Sequence, residues 1–339
     1  MNHADLRSDT FTQPDARMLE AMMKASVGDD VFGEDPSINL LEKQTADLFK
    51  MEAGLFCPSG TMTNQIGIKA HTQPGEEVIC ETLSHVYIYE GGGIAFNSGC
   101  QVKPIQGDRG RITAAQVEAH INPNDIHKAP TRLVSLENTA NRGGGACYNY
   151  NEIQLIKEVC LKNNLNLHLD GARIWNALIA NNETPTQYGE IFDSISVCFS
   201  KGLGCPVGSV LLGKKTYIQK ARRIRKIFGG GMRQAGYLAA AGLFALENNI
   251  QRLEEDHNHA KALSLALSKK SFIGEIMPVE TNIVIAEIKN PYIAPQLQAL
   301  LEEKGILTIA ISPNQIRFVT HLGFTKEMLI YSLQTIEAL

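Results

Sequence analysis

Lys201 lies in the run Phe199-Ser200-Lys201-Gly202-Leu203-Gly204, downstream of Asp170-Gly171-Ala172-Arg173. A lysine among small residues at a strand's end, with a carboxylate ending an earlier strand, suits pyridoxal phosphate (PLP) chemistry. The lysine would hold the cofactor as a Schiff base, and the carboxylate would keep the pyridine nitrogen protonated so that the ring accepts electrons. Gly202, Gly204 and Ser200 would let backbone and hydroxyl approach a phosphate, and burial would favour the neutral, nucleophilic lysine. Taken alone, Lys201 reads better as a surface lysine in a turn, and Asp170 as a helix N-cap. Their pairing points instead to an enzyme acting on an amino acid.

Other residues fit the same chemistry. Pro58-Ser59-Gly60-Thr61-Met62-Thr63-Asn64 reads as a turn opening a helix, whose N–H groups and hydroxyls would bind the cofactor phosphate. His85, in Ser84-His85-Val86-Tyr87-Ile88-Tyr89-Glu90, suits stacking on a pyridine ring, with a structural histidine as the plainer reading. His168 shares the strand face of Asp170 by alternation and reads as a packing or supporting residue. Arg173 and Arg317 each offer the planar cation that a substrate carboxylate requires, or else lie on a solvated surface.

These residues need a scaffold that brings strand ends together. Glu77–Glu81, Leu133–Glu137, Leu165–Leu169, Ser194–Cys198 and Ser209–Leu212 read as strands, and Ile153, Ile156, Val159 and Cys160 keep a helical period between two of them. This alternation predicts an α/β fold with a mostly parallel sheet flanked by helices. Ligands of such sheets bind beyond the carboxyl ends of the strands, where Asp170 and Lys201 fall. One long helix is expected from Gln234 to about Leu267. Beyond it, Ile283–Ala286 and Ile316–Val319 read as strands and Ala294–Lys304 as a helix. Two domains follow: a large one over residues 1–247, including the N-terminal segment, and a small C-terminal αβ domain over 248–339.

Composition is that of an ordinary globular protein, 44% hydrophobic and 20% charged. With 32 basic and 36 acidic side chains the net charge is −4, so no electrostatic footprint for nucleic acid or an anionic membrane is present. The start, Met1-Asn2-His3-Ala4-Asp5, lacks the apolar stretch of a signal peptide. Seven scattered cysteines without a Cys-x-x-Cys pair argue against zinc, redox chemistry and a disulfide framework, and a cytoplasmic location is expected. No metal site is expected; Glu34 and Asp35 read as loop or interface residues.

Together the motifs resemble the threonine aldolase family within the fold-type-I PLP enzymes. The resemblance rests on Leu6-Arg7-Ser8-Asp9-Thr10, Gly28-Asp29-Asp30-Val31-Phe32-Gly33-Glu34-Asp35-Pro36, Ser59-Gly60-Thr61, His85 and Glu137-Asn138-Thr139. It continues through Asp170-Gly171-Ala172-Arg173, Ser200-Lys201-Gly202, Gly229-Gly230-Gly231-Met232-Arg233-Gln234 and Arg317. It implies that Lys201 carries PLP, Asp170 pairs with the ring nitrogen and His85 stacks on the ring. It further implies that Ser59, Gly60, Thr61 and Ser200 hold the phosphate, with Arg233 reaching in from a neighbouring subunit of a homotetramer built from tight dimers. Ser8, Arg173 and Arg317 would hold the substrate carboxylate. The implied reaction is aldol cleavage of L-threonine, L-allo-threonine or a related β-hydroxy-α-amino acid to glycine and an aldehyde.

Two positions depart from the family pattern. Ala140 stands where a histidine often follows Glu-Asn-Thr, and Phe32 stands where the acidic motif commonly has tyrosine. Both changes are expected to remove polar groups from the region that senses the β-substituent. The alternatives are a PLP lyase that performs β-elimination, an aminotransferase or racemase on the same scaffold, and a PLP-binding protein without turnover. A nicotinamide-dependent dehydrogenase fits the sheet but lacks a Gly-x-Gly-x-x-Gly after an early strand.

Overall fold

Seven short runs form the central sheet of the protein, whose computed structural model describes residues 4–339. They are β1 (Ala53–Cys57), β2 (Glu77–Glu81), β3 (Gln101–Ile105), β4 (Thr131–Glu137), β5 (Asn166–Gly171), β6 (Ser194–Cys198) and β7 (Ser209–Gly213). Their spatial order is β1-β7-β6-β5-β4-β2-β3. β7 runs antiparallel to both of its neighbours, and the remaining pairs are parallel. Every residue of β2, β6 and β7 is buried, as befits strands covered on both faces. β3 carries Lys103 and Pro104, which an edge position tolerates.

The helices α1 (Gly60–His71), α2 (Tyr150–Lys162), α3 (Ile174–Asn181), α4 (Lys215–Ile227) and α5 (Gly236–Asn248) surround this sheet, and α6 (Leu253–Leu267) leads on to pack against the second sheet. Ile153, Ile156 and Cys160 form the buried stripe of α2, the period read from the sequence. The long helix expected from Gln234 to Leu267 is two helices, α5 and α6. At the break the buried Asn249 turns its amide to the loop after Lys201, donating from Nδ2 to the Leu203 carbonyl at 2.8 Å.

A second sheet holds β8 (Ile273–Ile276), β9 (Ile283–Ile288), β10 (Ile309–Ser312) and β11 (Gln315–Val319), all antiparallel in the order β10-β11-β9-β8. Its own apolar cluster includes Leu263, Val284, Leu297, Leu301 and Phe318, together with Ala4 and Leu6. The N-terminal chain is bound there because Ala4–Asp5 pairs in parallel with Ile306–Leu307. From that pairing the chain leads directly into Ser8, Asp9 and Thr10.

Candidate active site

The parallel strands β2, β4, β5 and β6 end at one edge of the sheet, and each ending delivers a side chain to one place. Glu137 at the end of β4 is in register with Asp170 on β5, and Asp170 with Ser196 on β6. His85 follows β2 and Lys201 follows β6. Above this edge lies a cavity of about 440 Å³ whose lining includes Ser8, His85, Glu137, Arg173, Lys201 and Arg317. Five of the residues expected from the sequence therefore share one wall, and Asp170 lies against His85.

Lys201 sits in a turn closed by the N–H of Gly204, which donates to the Lys201 carbonyl at 2.9 Å. Gly204 has φ +83°, a left-handed conformation that glycine adopts without strain. Lys201 Nζ lies 3.5 Å from Cys198 Sγ. Burial pulls the ammonium's pKa down, yet Cys198, Asp9 and Asp170 outweigh burial and the repulsion of Arg173, so the net shift is upward. This corrects the expectation that burial alone would leave the amine neutral.

Asp170 is buried, and its Oδ1 accepts the N–H of Ala172 at 3.1 Å. Its Oδ2 is buried with no hydrogen-bond partner. Burial raises its pKa, and Glu90 adds to this against His85, Lys201 and His168. His85 accepts no such isolation: its Nδ1 meets Glu90 Oε1 at 2.9 Å, and its backbone N–H donates to Glu137 Oε2 at 2.7 Å. Burial lowers the imidazole's pKa, but the bond to Glu90 and the charges of Asp170, Glu90 and Glu137 carry it upward. Glu137 also accepts the N–H of Asn141 at 2.9 Å; burial first and Asp170 second push its carboxyl up to about 7.

The two arginines differ in their freedom. Arg173 gives Nε and Nη2 to the two oxygens of Asp9, at 2.6 and 2.8 Å. Burial works against the Asp9 carboxylate, but Arg173 wins and holds its pKa at about 2. Arg317 donates to Asn141 Oδ1 at 3.0 Å and to the Arg7 carbonyl at 3.1 Å, while its buried Nε has no partner. Burial, then the neighbouring Arg173, depress its pKa. Ser8 caps the short turn Asp9–Phe11 and faces the cavity.

The expected phosphate group of residues lies beside this cavity rather than on its wall. Ser59 is the N-cap of α1, its Oγ accepting the Met62 N–H at 3.2 Å, so Gly60 and Thr61 form the first turn. That turn is tied to the Lys201 strand. Gly208 N–H donates to the Pro58 carbonyl at 3.1 Å, and Thr63 Oγ1 meets Ser196 Oγ at 2.6 Å. Ser200 Oγ lies 3.6 Å from Cys198 Sγ. Arg233 is exposed, its Nη1 held by Asp29 at 2.9 Å, and within one chain it does not line the cavity.

Both departures from the family pattern are placed differently than expected. Ala140 is only 2% exposed and absent from the cavity wall; a Cβ added to Gly110 would lie 2.6 Å from its methyl. Asn141 and Arg142, the next two residues, line the cavity instead. Phe32 is 74% exposed, outside this cavity in the single chain. The acidic motif around it is structural. Asp30 pairs with Arg225 at 2.7 Å, and Asp35 caps the helix Pro36–Leu48 while accepting Gly236 N–H at 2.9 Å.

Sequence reasoning passed over Glu90, Asp9, Cys198, Asn141, Ile309 and Ile311, and gave Glu137 no role. Glu137 and Asp9 stood in runs already singled out, and strand-end alignment with Asp170 was a usable signal for Glu137. Glu90 closes the run that holds His85, but nothing local gives it a role, and nothing local marks the isoleucines. His85, Glu90 and Asp170 bring ligand-type atoms within 4.8 Å of one another, and of the three His85 and Glu90 are joined by a hydrogen bond. All seven cysteines are free and buried.

The family model described as β-eliminating lyase matches residues 5–291. The low specificity L-threonine aldolase of Escherichia coli (strain K12) is 42% identical over 326 residues, 96% of each chain. The low-specificity L-threonine aldolase 1 of Arabidopsis thaliana is 40% identical, over 98% of this chain and 95% of its own. The chain belongs to the threonine aldolase family. As a member, it is an enzyme of the lyase class. The solved structure of Leishmania major threonine aldolase has the same fold, with a TM-score of 0.87 over 98% of both chains at 20% identity.

Proposed function

We propose that the enzyme uses PLP to cleave the Cα–Cβ bond of L-threonine, L-allo-threonine or a related β-hydroxy-α-amino acid, giving glycine and an aldehyde. The observation that carries this reading is the unpartnered, buried Asp170 Oδ2 among Lys201, His85 and Glu137. A carboxylate oxygen left without a donor in such a place is costly unless a ligand supplies one, and a pyridinium N–H does so. The residues present thus fit the cofactor. Lys201 would carry it covalently, Asp170 would face its ring nitrogen and His85 its ring. Ser59, Gly60, Thr61 and Ser200 would take its phosphate at the N-terminus of α1. When bound, PLP supplies an electron-accepting ring for bond cleavage at Cα.

The chain's own residues do the rest. Arg317, whose Nε is free, binds the substrate carboxylate with Ser8 and the remaining nitrogen of Arg173. Asp9 keeps Arg173 from swinging away, so the carboxylate is held in one orientation. The apolar wall of Ile309 and Ile311 covers the β-substituent and limits water. Glu137, raised to about 7, takes the β-hydroxyl proton at Oε1 or Oε2 as the Cα–Cβ bond breaks. A proton returned to Cα completes glycine.

A second reading, β-elimination to pyruvate and ammonia, has support in the description of the matching family model. One experiment separates them. The PLP-loaded protein is incubated with L-threonine, L-allo-threonine, L-phenylserine and L-serine and the products are identified. Glycine with the matching aldehyde is expected; pyruvate moves the assignment to elimination, and neither product means binding without turnover. We also infer a homotetramer of tight dimers, supported by the exposure of Phe32 and Arg233 outside the single-chain cavity.

A further inference from the structure

We propose that Glu90 is a positioning residue for His85, fixing the tautomer and orientation of its ring over the cavity through the Nδ1 hydrogen bond. Glu90 closes the run Ser84–Glu90 around His85 without a role assigned to it from the sequence, and its side chain is wholly buried. Three side chains converge on its carboxylate. Asn64 Nδ2 donates to Oε1 at 2.9 Å, Gln65 Nε2 donates to Oε2 at 2.6 Å, and His85 Nδ1 lies 2.9 Å from Oε1.

The direction of every bond in this network follows from donor and acceptor chemistry. Because Asn64 gives its amide N–H to Glu90, its Oδ1 faces His168 Nε2, 3.2 Å away, and must accept from it. Burial holds the His168 imidazole down at about 3, so the ring is neutral and its Nδ1 is an acceptor. Ser194 Oγ, 2.8 Å from that Nδ1, therefore donates to it. Ser194 Oγ in turn accepts from His71 Nε2 at 2.8 Å. The hydrogen bonds run one way, from His71 at the end of α1 through Ser194 and His168 on the sheet, back to Asn64 on α1 and on to Glu90, and each aligned donor strengthens the next.

Glu90 thus accepts an amide N–H at each oxygen, and it faces His85 as an acceptor too. Its partner at His85 must also be a donor, so Nδ1 carries a proton in either charge state of the ring. That leaves Nε2 as the atom whose proton comes and goes. Packing locks the device in place. A Cβ on Gly67 would lie 2.9 Å from His168 Cε1, and one on Gly93 would meet Gln65 at 2.6 Å. The charged groups facing His85 are Glu90, Asp170 at the end of β5 and Glu137 at the end of β4, with Lys201 acting on Asp170.

The inference builds on the reading that His85 works at the cofactor ring, but its test does not require turnover. In cofactor-free protein labelled with nitrogen-15 in histidine, the His85 signals should show Nδ1 protonated throughout the titration. The midpoint of that titration should fall in Glu90→Gln and stay near wild type in Glu90→Asp. With PLP and L-threonine, Glu90→Gln should lose roughly tenfold or more in kcat/KM, with a displaced pH profile. Should Glu90→Gln not fold, the wild-type spectrum still decides: a neutral His85 bearing its proton only on Nε2 overturns the inference. An unchanged midpoint in folded Glu90→Gln overturns it too. If threonine is cleaved and these signals disagree, the inference alone fails. If the signals agree and nothing is cleaved, the inference stands and the proposed function fails.

Discussion

At the scale of single residues, the proposed function divides the cavity wall into groups that hold the ligands and one group that accepts a proton. Lys201 is the only lysine on the cavity wall among the described residues, so Lys201→Ala should abolish covalent capture of PLP. Loss of the aldimine-type absorbance together with product formation, in protein that still melts cooperatively, is the expected result; retained turnover would remove Lys201 from its role. Glu137 makes a sharper forecast. As the proposed base it would work ionised, so kcat/KM should climb as pH rises through about 7 and fall off below it. Glu137→Gln should erase that limb and cost roughly 10²–10⁴ in rate. An intact limb in the variant would assign the proton transfer elsewhere.

At the scale of elements, the loops that carry these residues are pinned by side chains from distant helices. Asn249, at the break between α5 and α6, holds the Leu203 carbonyl. Asn249→Ala should leave that carbonyl unpaired in a buried place, costing about 1–3 kcal/mol. Urea denaturation measures the loss, and kcat should fall with it as the Lys201 turn loosens; a variant as stable as wild type would mean the break has another cause. This contact also shows why the sequence reading ran the two helices together. Asn249-Ile250-Gln251-Arg252 contains neither glycine nor proline, and the reason for stopping lies across the fold. The runs Glu77–Glu81 and Ser194–Cys198 were legible to the residue because they are continuous, buried and β-branched. Ala53–Cys57 and Gln101–Ile105 went unread; the first has no β-branched residue, and the second carries a lysine and a proline that only its edge position allows. The same division holds in the site. His85, Asp170, Lys201 and Arg317 could be picked out by type and context, whereas Glu90 and the isoleucines of β10 matter only through tertiary placement.

At the scale of the whole molecule, buried titratable groups set how stability depends on pH. Burial lowers the His168 imidazole from 6.5 to about 3 and the His71 imidazole likewise to about 3. Each depressed histidine contributes stability that is complete above its ordinary value and is lost as pH falls toward its folded one. Glu137 acts oppositely: raised from 4.5 to about 7, its contribution is complete below 4.5 and is lost as pH rises through 7. The two trends partly cancel between pH 4.5 and 6.5, so Tm should drop more steeply below 4.5. In His168→Gln the drop should flatten; parallel melting curves for wild type and variant across this range would refute the assignment.

The pairing of Ala4–Asp5 with Ile306–Leu307 bears on how the protein can be handled. Ser8 and Asp9 follow that clasp within a few residues and reach the cavity wall and Arg173. An affinity handle, fluorophore or surface tether fused close to residue 4 would pull on the same strand that seats them. Attachment beyond Leu339, after the helix Lys326–Ala338, leaves it untouched. Trimming residues 1–7 should therefore raise KM and, because it strips Ala4 and Leu6 from the apolar cluster of the second sheet, lower Tm as well. Enzyme immobilised through its first residues should show the same weakened grip on substrate, and enzyme immobilised through its last residues should not.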